Sequence, residues 1–492
     1  MARMNQRDMA HAYRFLAHRL SSALLRDDPD GPDSPMRKLA IASFGSVMVA
    51  LLAVAGAGVY GIVRPGGNTT WKSGRDLIIE KETGTLLLYL GGKLHPVANY
   101  SSARLLLGQP TVTIISVSQA SLGNTPRGGT YGIVGAPGEL PAPATLVTGP
   151  WSVCSLPAQD QAGGTTPYVR VTVGPGGMAG PGGPGALGSG TVLPGRRGLL
   201  VSAPDGTLYL VWNDQRFRIP TGQAGLAALH YPAGQPVPVG NAWLSAVPQA
   251  PDLAAPSVLG IGTPGPSVAG QRTRVGQVLT TGNGGGPAGP GAGPFYLVER
   301  GGLAPLSVAQ AYLMLADPAA RKLYPNGRAT AISVPAAVVA TIPAPPAAAG
   351  PSGLPTAPPP LVDVAANGTG VCAVYPANGN GSPTIRTLAV PPSAMPAAPP
   401  IAPTGSFGAP LADQVQIPGG AGAVAAGLGQ GPGATVYVIT SQGIKYALGG
   451  PSLLSSLGLG GVTPVRIPGP VLGLLRTGPT LDVAAAKHTI AP

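Results

Sequence analysis

Two cysteines, Cys154 and Cys372, are the side chains with the clearest chemistry in this sequence of 492 residues. In an oxidising compartment they can pair, and closing a loop of roughly 200 residues would stabilise the folded state by about 5 kcal/mol, through the lost entropy of the unfolded chain. Two free thiols are the alternative, because a sequence cannot test the geometry. A metal site is disfavoured, since no histidine lies nearby. The sequence therefore favours a disulfide.

ATP hydrolysis of the P-loop type would require a phosphate-binding loop, and the sequence lacks one. A P-loop has glycine, four residues and then Gly-Lys-Ser/Thr, so that backbone amides and the lysine hold the phosphates. The only Gly-Gly-Lys is Gly91-Gly92-Lys93, which is followed by Leu94 and has Leu87 where the first glycine belongs. No apolar strand ends in an Asp-Glu pair that could hold magnesium. ATP hydrolysis is disfavoured, and no cofactor is expected.

The remaining reactive residue types are scattered. None of the 5 histidines has a partner at metal-ligand spacing, and 18 acidic residues leave few carboxylate pairs for hydrolysis. The net charge of +12 is not gathered into basic clusters with stacking aromatic residues, which argues against nucleic-acid binding. We therefore predict no catalytic, cofactor or metal residues.

One segment near the N-terminus has the length and composition of a membrane-spanning helix, which would determine the side of the membrane on which the rest of the chain lies. Leu39 to Val63 is uncharged, and at ~1.5 Å per residue a helix of that run exceeds the ~30 Å hydrocarbon core. Because basic residues before it resist translocation, we expect a cytoplasmic N-terminus and export of residues 65–492. A cleavable signal peptide is the alternative, but its apolar region would be shorter and nearer Met1. An uncleaved signal anchor is preferred. The basic residues are Arg3, Arg7, Arg14, Arg19, Arg26, Arg37 and Lys38.

The segment before the span has the periodicity of an amphipathic helix. Its apolar residues recur at three- and four-residue steps, with most arginines off that stripe. Such a helix lies on the inner leaflet or docks onto a cytoplasmic partner. The predicted docking face consists of Met9, Tyr13, Leu16, Leu20 and Leu24.

Within the span, Ala53, Ala57 and Gly61 fall four residues apart. Small residues at this spacing let a neighbouring helix approach closely, so they are candidates for packing between spans. The alternative is the ordinary small-residue content of an Ala-rich span.

The exported part contains an internal repeat. Four segments share the order strand, glycine turn, second strand and short helix. They begin near residues 77, 198, 295 and 436, and this uneven spacing excludes a regular solenoid or propeller. The stretches after the first copy and before the last supply one cysteine each, which suggests a central β domain assembled from both halves. The 76 glycines and 59 prolines, against only 5 Phe, 4 Trp and 14 Tyr, favour loop-rich β structure.

The sequence thus predicts an α+β protein with an elongated exported region of four repeats around a central β core. Stretches rich in Gly and Pro are expected to be exposed loops, at residues 174–190, 282–294, 343–360 and 391–403. The expected segments are a cytoplasmic N-terminal segment (1–38), a transmembrane helix (39–63), repeat 1 (71–108), a first core β segment (109–197), repeat 2 (198–232), a core or connector segment (233–281), repeat 3 (294–316), a second core β segment with Pro/Ala-rich loops (317–433), repeat 4 (434–460) and a C-terminal segment (461–492).

Ordered motifs along nearly the whole chain resemble a known family. They are Tyr13-Arg-Phe-Leu-Ala-His-Arg-Leu-Ser-Ser-Ala-Leu-Leu-Arg26, Trp71, Gly84-Thr-Leu-Leu-Leu-Tyr89, Leu94-His-Pro-Val-Ala-Asn-Tyr-Ser-Ser-Ala-Arg-Leu-Leu-Leu-Gly108, Pro126-Arg-Gly128, Gly132-Ile-Val-Gly-Ala-Pro137, Trp151-Ser-Val-Cys154 and Gly370-Val-Cys-Ala-Val-Tyr375. The chain is similar to EccB, the membrane component of the type VII (ESX) secretion system of mycobacteria and related actinobacteria. The Gly/Pro-rich insertions are longer than is typical of that family.

The resemblance implies a single-pass inner-membrane protein whose periplasmic region has four repeats around a β core held by one disulfide. It also implies a large, hexameric complex with an EccC-like motor ATPase and EccD-like and EccE-like membrane components. A structural scaffold is the favoured function. The alternatives are a peptidoglycan-binding module, which the family's repeat fold suggests, and an atypical ATPase, as family members are sometimes labelled.

Overall fold

The computed structural model describes residues 6–26, 35–63, 69–160, 162–174, 191–232, 234–282, 293–345, 353–377, 381–390, 392–395, 410–429, 431 and 433–490. Most residues of three Gly/Pro-rich stretches expected to form loops (174–190, 282–294 and 391–403) therefore lie outside the described residues, as do residues 346–352 of the fourth stretch and Arg3. The chain divides into two compact units. The first comprises residues 1–95 and 113–128, and the second comprises residues 96–112 and 129–492.

The described residues form 12 α-helices and 27 strands, so the chain is a mixed α+β protein. The helices are α1 (Gln6–Arg26), α2 (Pro35–Val63), α3 (Tyr100–Leu107), α4 (Gln119–Leu122), α5 (Gln223–Ala228), α6 (Asn241–Ala246), α7 (Val308–Ala316), α8 (Pro318–Arg321), α9 (Ala336–Val339), α10 (Leu453–Ser456), α11 (Gly469–Gly473) and α12 (Val483–Ala486). The strands are β1 (Leu77–Glu80), β2 (Leu86–Leu90), β3 (Lys93–Pro96), β4 (Ile114–Val117), β5 (Thr130–Tyr131), β6 (Trp151–Gln159), β7 (Thr165–Val173), β8 (Thr191–Val192), β9 (Leu199–Ser202), β10 (Leu208–Trp212), β11 (Gln215–Ile219), β12 (Val237–Pro238), β13 (Pro264–Val268), β14 (Gln271–Arg274), β15 (Val278–Thr280), β16 (Phe295–Glu299), β17 (Gly302–Leu306), β18 (Ile332–Ser333), β19 (Thr369–Tyr375), β20 (Thr384–Ala389), β21 (Gln414–Gln416), β22 (Ala423–Gly427), β23 (Val436–Ile439), β24 (Ile444–Ala447), β25 (Val465–Ile467), β26 (Arg476–Thr477) and β27 (Thr489–Ile490).

The N-terminal sequence forms two long helices. α1 covers the amphipathic segment, and α2 contains the uncharged run. Leu39–Tyr60 within α2 is long and apolar enough to cross a membrane, with a mean hydropathy of 2.2. Its large side chains, including Phe44 and Val54, are exposed in the isolated chain. One candidate membrane-spanning helix is therefore present near the N-terminus of the described chain.

The first unit also contains a small sheet with the strand order β3-β2-β1-β4. β1 pairs with β2 antiparallel and with β4 parallel. Gly84 adopts a φ of 70° in the turn between β1 and β2, a conformation that favours glycine. Trp71, which is almost fully buried, packs with Ile78 and Leu87 beneath the sheet. The motif around Trp71 thus forms the core of this sheet.

Three sheets of the second unit share this arrangement. Their orders are β11-β10-β9-β12, β17-β16-β15-β18 and β25-β22-β23-β24-β26. In each, the first strand in sequence pairs antiparallel with the next and parallel with a later strand that follows a helix. The helices that precede the parallel strand are α5, α7 and α10. In the first sheet that position along the chain belongs to α3, which lies in the second unit.

A six-stranded sheet occupies the centre of the second unit, with the order β21-β7-β6-β19-β20-β8. β6 and β19 pair antiparallel in its middle, with Cys154 opposite Cys372. β6, β7 and β8 come from the N-terminal half, and β19, β20 and β21 come from the C-terminal half. If β6 is exchanged with β19, β7 with β20 and β8 with β21, the order of strands across the sheet stays the same when it is read from the opposite edge. The two halves of the chain therefore occupy equivalent places in the sheet.

The largest apolar core of the described residues joins this central sheet to the sheets that contain β9 and β22. Alternate side chains of the strands point into it, so a period of two residues brings the valines to one face. Its members include Trp151, Val153, Val171, Val201, Val211, Trp243, Val371, Ala423, Ile439 and Ile467.

The sheets differ from the expected repeat boundaries at their first strands. β15 and β22 pair with the strands that begin near residues 295 and 436, so the third and fourth sheets start one strand earlier than expected. β4, β18 and β22 lie within the segments assigned to the core but belong to the first, third and fourth sheets. These strands are short, and their partners are distant or parallel, which local sequence does not reveal.

Candidate functional site

The two cysteines form a disulfide in the middle of the central sheet. Cys154 on β6 and Cys372 on β19 are bonded to each other and buried. Leu156 and Leu388 pack around them in an apolar cluster. The bond therefore links the two halves of the chain, at residues 218 positions apart in sequence.

A buried arginine joins α3 to the end of α10. Arg104 is 7% exposed, and its Nε donates to the carbonyl oxygen of Ser456 at 3.0 Å. Its Nη2 donates to the carbonyl of Pro110 at 2.8 Å and to that of Gln109 at 3.4 Å, and its Nη1 donates to the hydroxyl of Tyr100 at 3.3 Å. Bonds to neutral oxygens satisfy the guanidinium, which holds together segments 352 residues apart in sequence.

Polar side chains at the start of α3 complete this junction. Asn99 caps the helix by accepting from the amide of Ser102 and donates to the carbonyl of Ile133 at 2.8 Å. The Ser102 hydroxyl accepts from the amide of Ile133 at 2.9 Å, and Ser101 donates to the carbonyl of Pro137. All three polar side chains are buried. We name Asn99, Ser101, Ser102 and Arg104 the α3 junction.

Two more cations, one half-buried and one buried, occupy matching positions in the second and fourth sheets. Arg216 is the second residue of β11 and donates to the carbonyl of Val247, just after α6, at 2.9 Å. Lys445 is the second residue of β24 and donates to the carbonyl of Leu472 in α11 at 2.5 Å. Burial lowers the pKa of both groups, because it disfavours the charged form. Each cation also stands over a tyrosine ring, Tyr209 at 5.6 Å for Arg216 and Tyr437 at 5.9 Å for Lys445.

The first sheet holds an ion pair of its own. Glu80 is 3% exposed and accepts from Arg127 at 2.7 Å and from the hydroxyl of Thr83 at 2.6 Å. The Thr83 hydrogen bond and the Arg127 guanidinium hold the pKa of Glu80 below its ordinary value. Because the folded pKa lies below the unfolded one, the pair stabilises the fold above about pH 4.3 and loses its effect as the pH falls further.

We expect Arg127→Gln to weaken this sheet by about 1 kcal/mol at neutral pH, a small effect because Arg127 is 42% exposed. Amide hydrogen exchange in peptides that cover β1 should then accelerate roughly fivefold. The difference from the unaltered chain should shrink at pH 4. Arg75→Gln, at an exposed position of the same unit, is the matched control. Equal exchange in all three proteins at pH 7 would contradict a stabilising role for the pair.

The five side chains of the predicted docking face on α1 are exposed to solvent. Met9, Tyr13, Leu16, Leu20 and Leu24 are all exposed in the structure, with Tyr13 at 75% and Leu24 at 79%. In α2, Ala53 and Ala57 are exposed, and Gly61 lies within the last turn of the helix. The α1 face, Ala53 and Ala57 are therefore exposed in the structure.

The segment nearest to a phosphate loop has a different structure. Gly91 and Gly92 form the turn between β2 and β3, with φ values of 56° and 78°. Lys93 begins a strand, whereas a P-loop lysine begins a helix. Among the residues that the structure describes, no group of His, Cys, Asp and Glu could hold a metal ion.

A small cavity lies beside the fourth sheet. Its volume is about 50 Å³, which suits roughly four water molecules and not a nucleotide. The hydroxyl of Thr440, which is 5% exposed, lacks a hydrogen-bond partner among the described residues. The cavity is lined by Pro137, Gly138, Glu139, Pro141, Gly420, Ala421, Thr440, Ser441 and Gln442.

Sequence reasoning did not identify the α3 junction, Arg216 or Lys445. The available signal was Arg104 itself, the one charged residue among Tyr100–Leu107, placed between Ala103 and Leu105. A charge on the buried face of a short apolar helix requires a partner. That partner lies near the opposite end of the chain, which local patterns do not show.

Comparison with known proteins gives a consistent result. A family model described as type VII secretion system ESX-1, transport TM domain B (EccB), matches residues 2–491. The ESX-3 secretion system ATPase EccB3 of Mycobacterium tuberculosis is 27% identical over 522 aligned positions, which cover 99% of this chain and 90% of the relative. The ESX-1 secretion system ATPase EccB1 of the same organism is 34% identical over 171 positions, covering 35% of this chain and 34% of the relative.

Solved structures are also similar. A chain of an intact ESX-5 inner membrane complex is 25% identical, with a TM-score of 0.58, and the match covers all of this chain and 97% of that one. The EccB3 dimer from the ESX-3 core complex is 23% identical, with a TM-score of 0.59, over 85% of this chain and 100% of that one. The second match shows a shared fold.

Proposed function

The chain belongs to the EccB family of type VII secretion systems, and from this premise we infer that it is a core component of a type VII secretion complex in the bacterial inner membrane. We propose that it acts there as a single-pass anchor whose exported region is a periplasmic scaffold. The motifs of the sequence predict this membership, and the family match confirms it.

The observation that carries the scaffold proposal is how the buried charged groups are used. Glu80, Arg104 and Lys445 each bond to protein groups that hold separate segments together. None of them lines the cavity near Thr440. Active sites tend to gather titratable groups in a cleft. These three groups instead make hydrogen bonds that connect separate segments of the fold. We assign no hydrolysis to this chain, although the relatives' names include the word ATPase.

We propose that the four small sheets are copies of one repeat. Each has an antiparallel hairpin and a parallel last strand. Arg216 and Lys445 occupy the same position in the third strand of their sheets, and each donates to a backbone carbonyl in or next to a helix. This similarity supports a common origin of the second and fourth copies. With this topology, copies 3 and 4 begin at β15 and β22. The remaining segment boundaries expected from the sequence stay as proposals.

We further propose that the two halves of the exported region arose by duplication. The order of the central sheet is preserved when the halves are exchanged. The helices α5 and α7 of copies 2 and 3 pack together, with Leu226 beside Leu313 in one cluster. Those of copies 1 and 4, α3 and α10, are joined by Arg104 and Ser456. The two halves differ at the edges of the central sheet. The edge strand β21 pairs parallel with β7, whereas the opposite edge strand β8 pairs antiparallel with β20.

Within the complex, we propose contacts with an EccC-like motor ATPase and with EccD-like and EccE-like components in a hexameric assembly. The α1 face (Met9, Tyr13, Leu16, Leu20 and Leu24) would dock at the cytoplasmic surface of the membrane, and Ala53, Ala57 and Gly61 would face a neighbouring span. Crosslinking in native membranes, from a photoreactive residue at Ala57, tests the second contact. Capture of neither a second copy nor an EccC-like or EccD-like protein would contradict it.

Orientation has a direct test. We expect a reporter that is fluorescent only in the cytosol to stay dark when fused after Pro492 and to fluoresce when fused before Met1. Protease added to intact spheroplasts should remove residues 65–492 and spare α1. The reverse pattern would refute a periplasmic scaffold, without bearing on membership of the family.

A further inference from the structure

The α1 helix presents a continuous apolar stripe bordered by arginines. At 100° per residue, Met9, Tyr13, Leu16, Leu20 and Leu24 fall within about 80° of arc around the helix axis. All of these side chains are exposed. The stripe runs nearly the full length of a 21-residue helix, which is far longer than a small protein pocket requires.

Basic residues flank the stripe on both sides. On a helical projection, Arg7 and Arg14 lie on one flank, and Arg19 and Arg26 lie on the other. Phe15 lies off the stripe with the Arg19 guanidinium 5.9 Å from its ring centre. Asp8 is the single acidic residue of the helix, so α1 carries a net charge of +3 from its four arginines. Long basic side chains at this position can reach lipid phosphates while the stripe contacts acyl chains.

The span that follows keeps this helix close to a membrane. Only residues 27–38 separate α1 from the apolar segment Leu39–Tyr60. A linker of that length holds the stripe within a few tens of ångströms of the bilayer, at a high effective concentration. A protein partner would have to compete with a surface that is always present.

We propose that α1 lies flat on the cytoplasmic leaflet, with its stripe in the acyl region and its arginines on anionic lipid phosphates. The inference deepens the proposed function, because it names the surface on which the docking face rests and relies on the proposed orientation for the choice of leaflet. It commits to lipid, and not to a protein, as the occupant of the stripe.

The test uses the full chain reconstituted in nanodiscs, which expose two equivalent leaflets, so its outcome does not depend on orientation in the cell. An environment-sensitive dye is attached to Leu16→Cys, and to His18→Cys as the matched control two residues away on the opposite face. Labelling without reductant leaves the Cys154–Cys372 pair intact. In nanodiscs rich in phosphatidylglycerol, the dye at position 16 should shift to the blue and be quenched by nitroxide-labelled acyl chains. The dye at position 18 should remain in water.

Charge dependence is tested with Arg7→Gln and Arg14→Gln in the Leu16→Cys background. Each substitution should shift the equilibrium away from the docked state roughly fivefold, and phosphatidylcholine nanodiscs should weaken docking in the same way. Identical spectra at positions 16 and 18 in anionic nanodiscs would overturn the proposal. Burial of position 16 only after other complex components are added would also overturn it, in favour of a protein occupant. Equal docking on both lipids would refute the assignment of anionic headgroups.

Discussion

Replacing both cysteines, as Cys154→Ala with Cys372→Ala, is expected to lower the free energy of unfolding of the second unit by about 5 kcal/mol. The reason is the 218-residue separation, since opening so large a loop returns much entropy to the unfolded chain. Both side chains are buried in an apolar cluster, and alanine suits that environment. The measurement is denaturant unfolding of the detergent-purified chain, followed by tryptophan fluorescence from Trp151 and Trp243.

Reductant provides the matching control. It should shift the unfolding midpoint of the unaltered chain to that of the double variant and leave the double variant unchanged. Ser245→Ala, an exposed hydroxyl of the same unit, should have no comparable effect. Mass spectrometry of non-reduced peptides that found both thiols free would contradict the link, as would equal midpoints with and without reductant.

Arg104→Met should destabilise the second unit by about 3–5 kcal/mol, because the substitution leaves buried carbonyl groups without donors. Methionine keeps most of the side-chain volume, so the loss reports the hydrogen bonds of the guanidinium and not a cavity. The effect should concentrate where α3 meets α10. We therefore expect faster amide exchange in peptides that cover α3 and Leu453–Ser456, with little change in β19.

Two further variants define this result. Arg104→Lys keeps the charge but lacks the planar fork of donors, so an intermediate loss is expected. Arg328→Met, at an exposed position, controls for removal of an arginine from the same unit. Equal stability of Arg104→Met and Arg328→Met would show that the α3 junction does not hold the chain together.

The features of the fold that the sequence could predict are those with local causes. The 3.6-residue period and the uncharged run predict α1 and the apolar helix, and both are present. Glycine turns such as Gly84 and Gly443 mark hairpins, because each adopts a positive φ. Pairing of Cys154 with Cys372 is favoured by the sequence because only two cysteines occur.

The features that it could not predict depend on distant partners. β15 and β22 are short, and each is completed by a hairpin strand on one side and a parallel strand on the other. The parallel partners, β18 and β25, are not visible in a local window. Likewise, the sequence of α3 indicates that Arg104 needs hydrogen-bond acceptors, but it does not indicate that the carbonyl oxygen of Ser456 is one of them. Sequence patterns do not predict long-range strand pairing, because the free energy of closing a loop depends only weakly on its length and so does not favour one distant partner over another.

The alternation of halves in the central sheet has a consequence for biogenesis. The β6–β7 hairpin is bordered by β19 on one side and by β21 on the other, and both arrive from the C-terminal half. If the exported region emerges from residue 65 onward, as proposed, the edge of this hairpin on β7 stays unpaired until some 240 further residues have emerged and β21 is available. In that orientation, the central sheet could not be completed before β21 has emerged. Until then, the unpaired strand edges of the exported chain would be prone to aggregation.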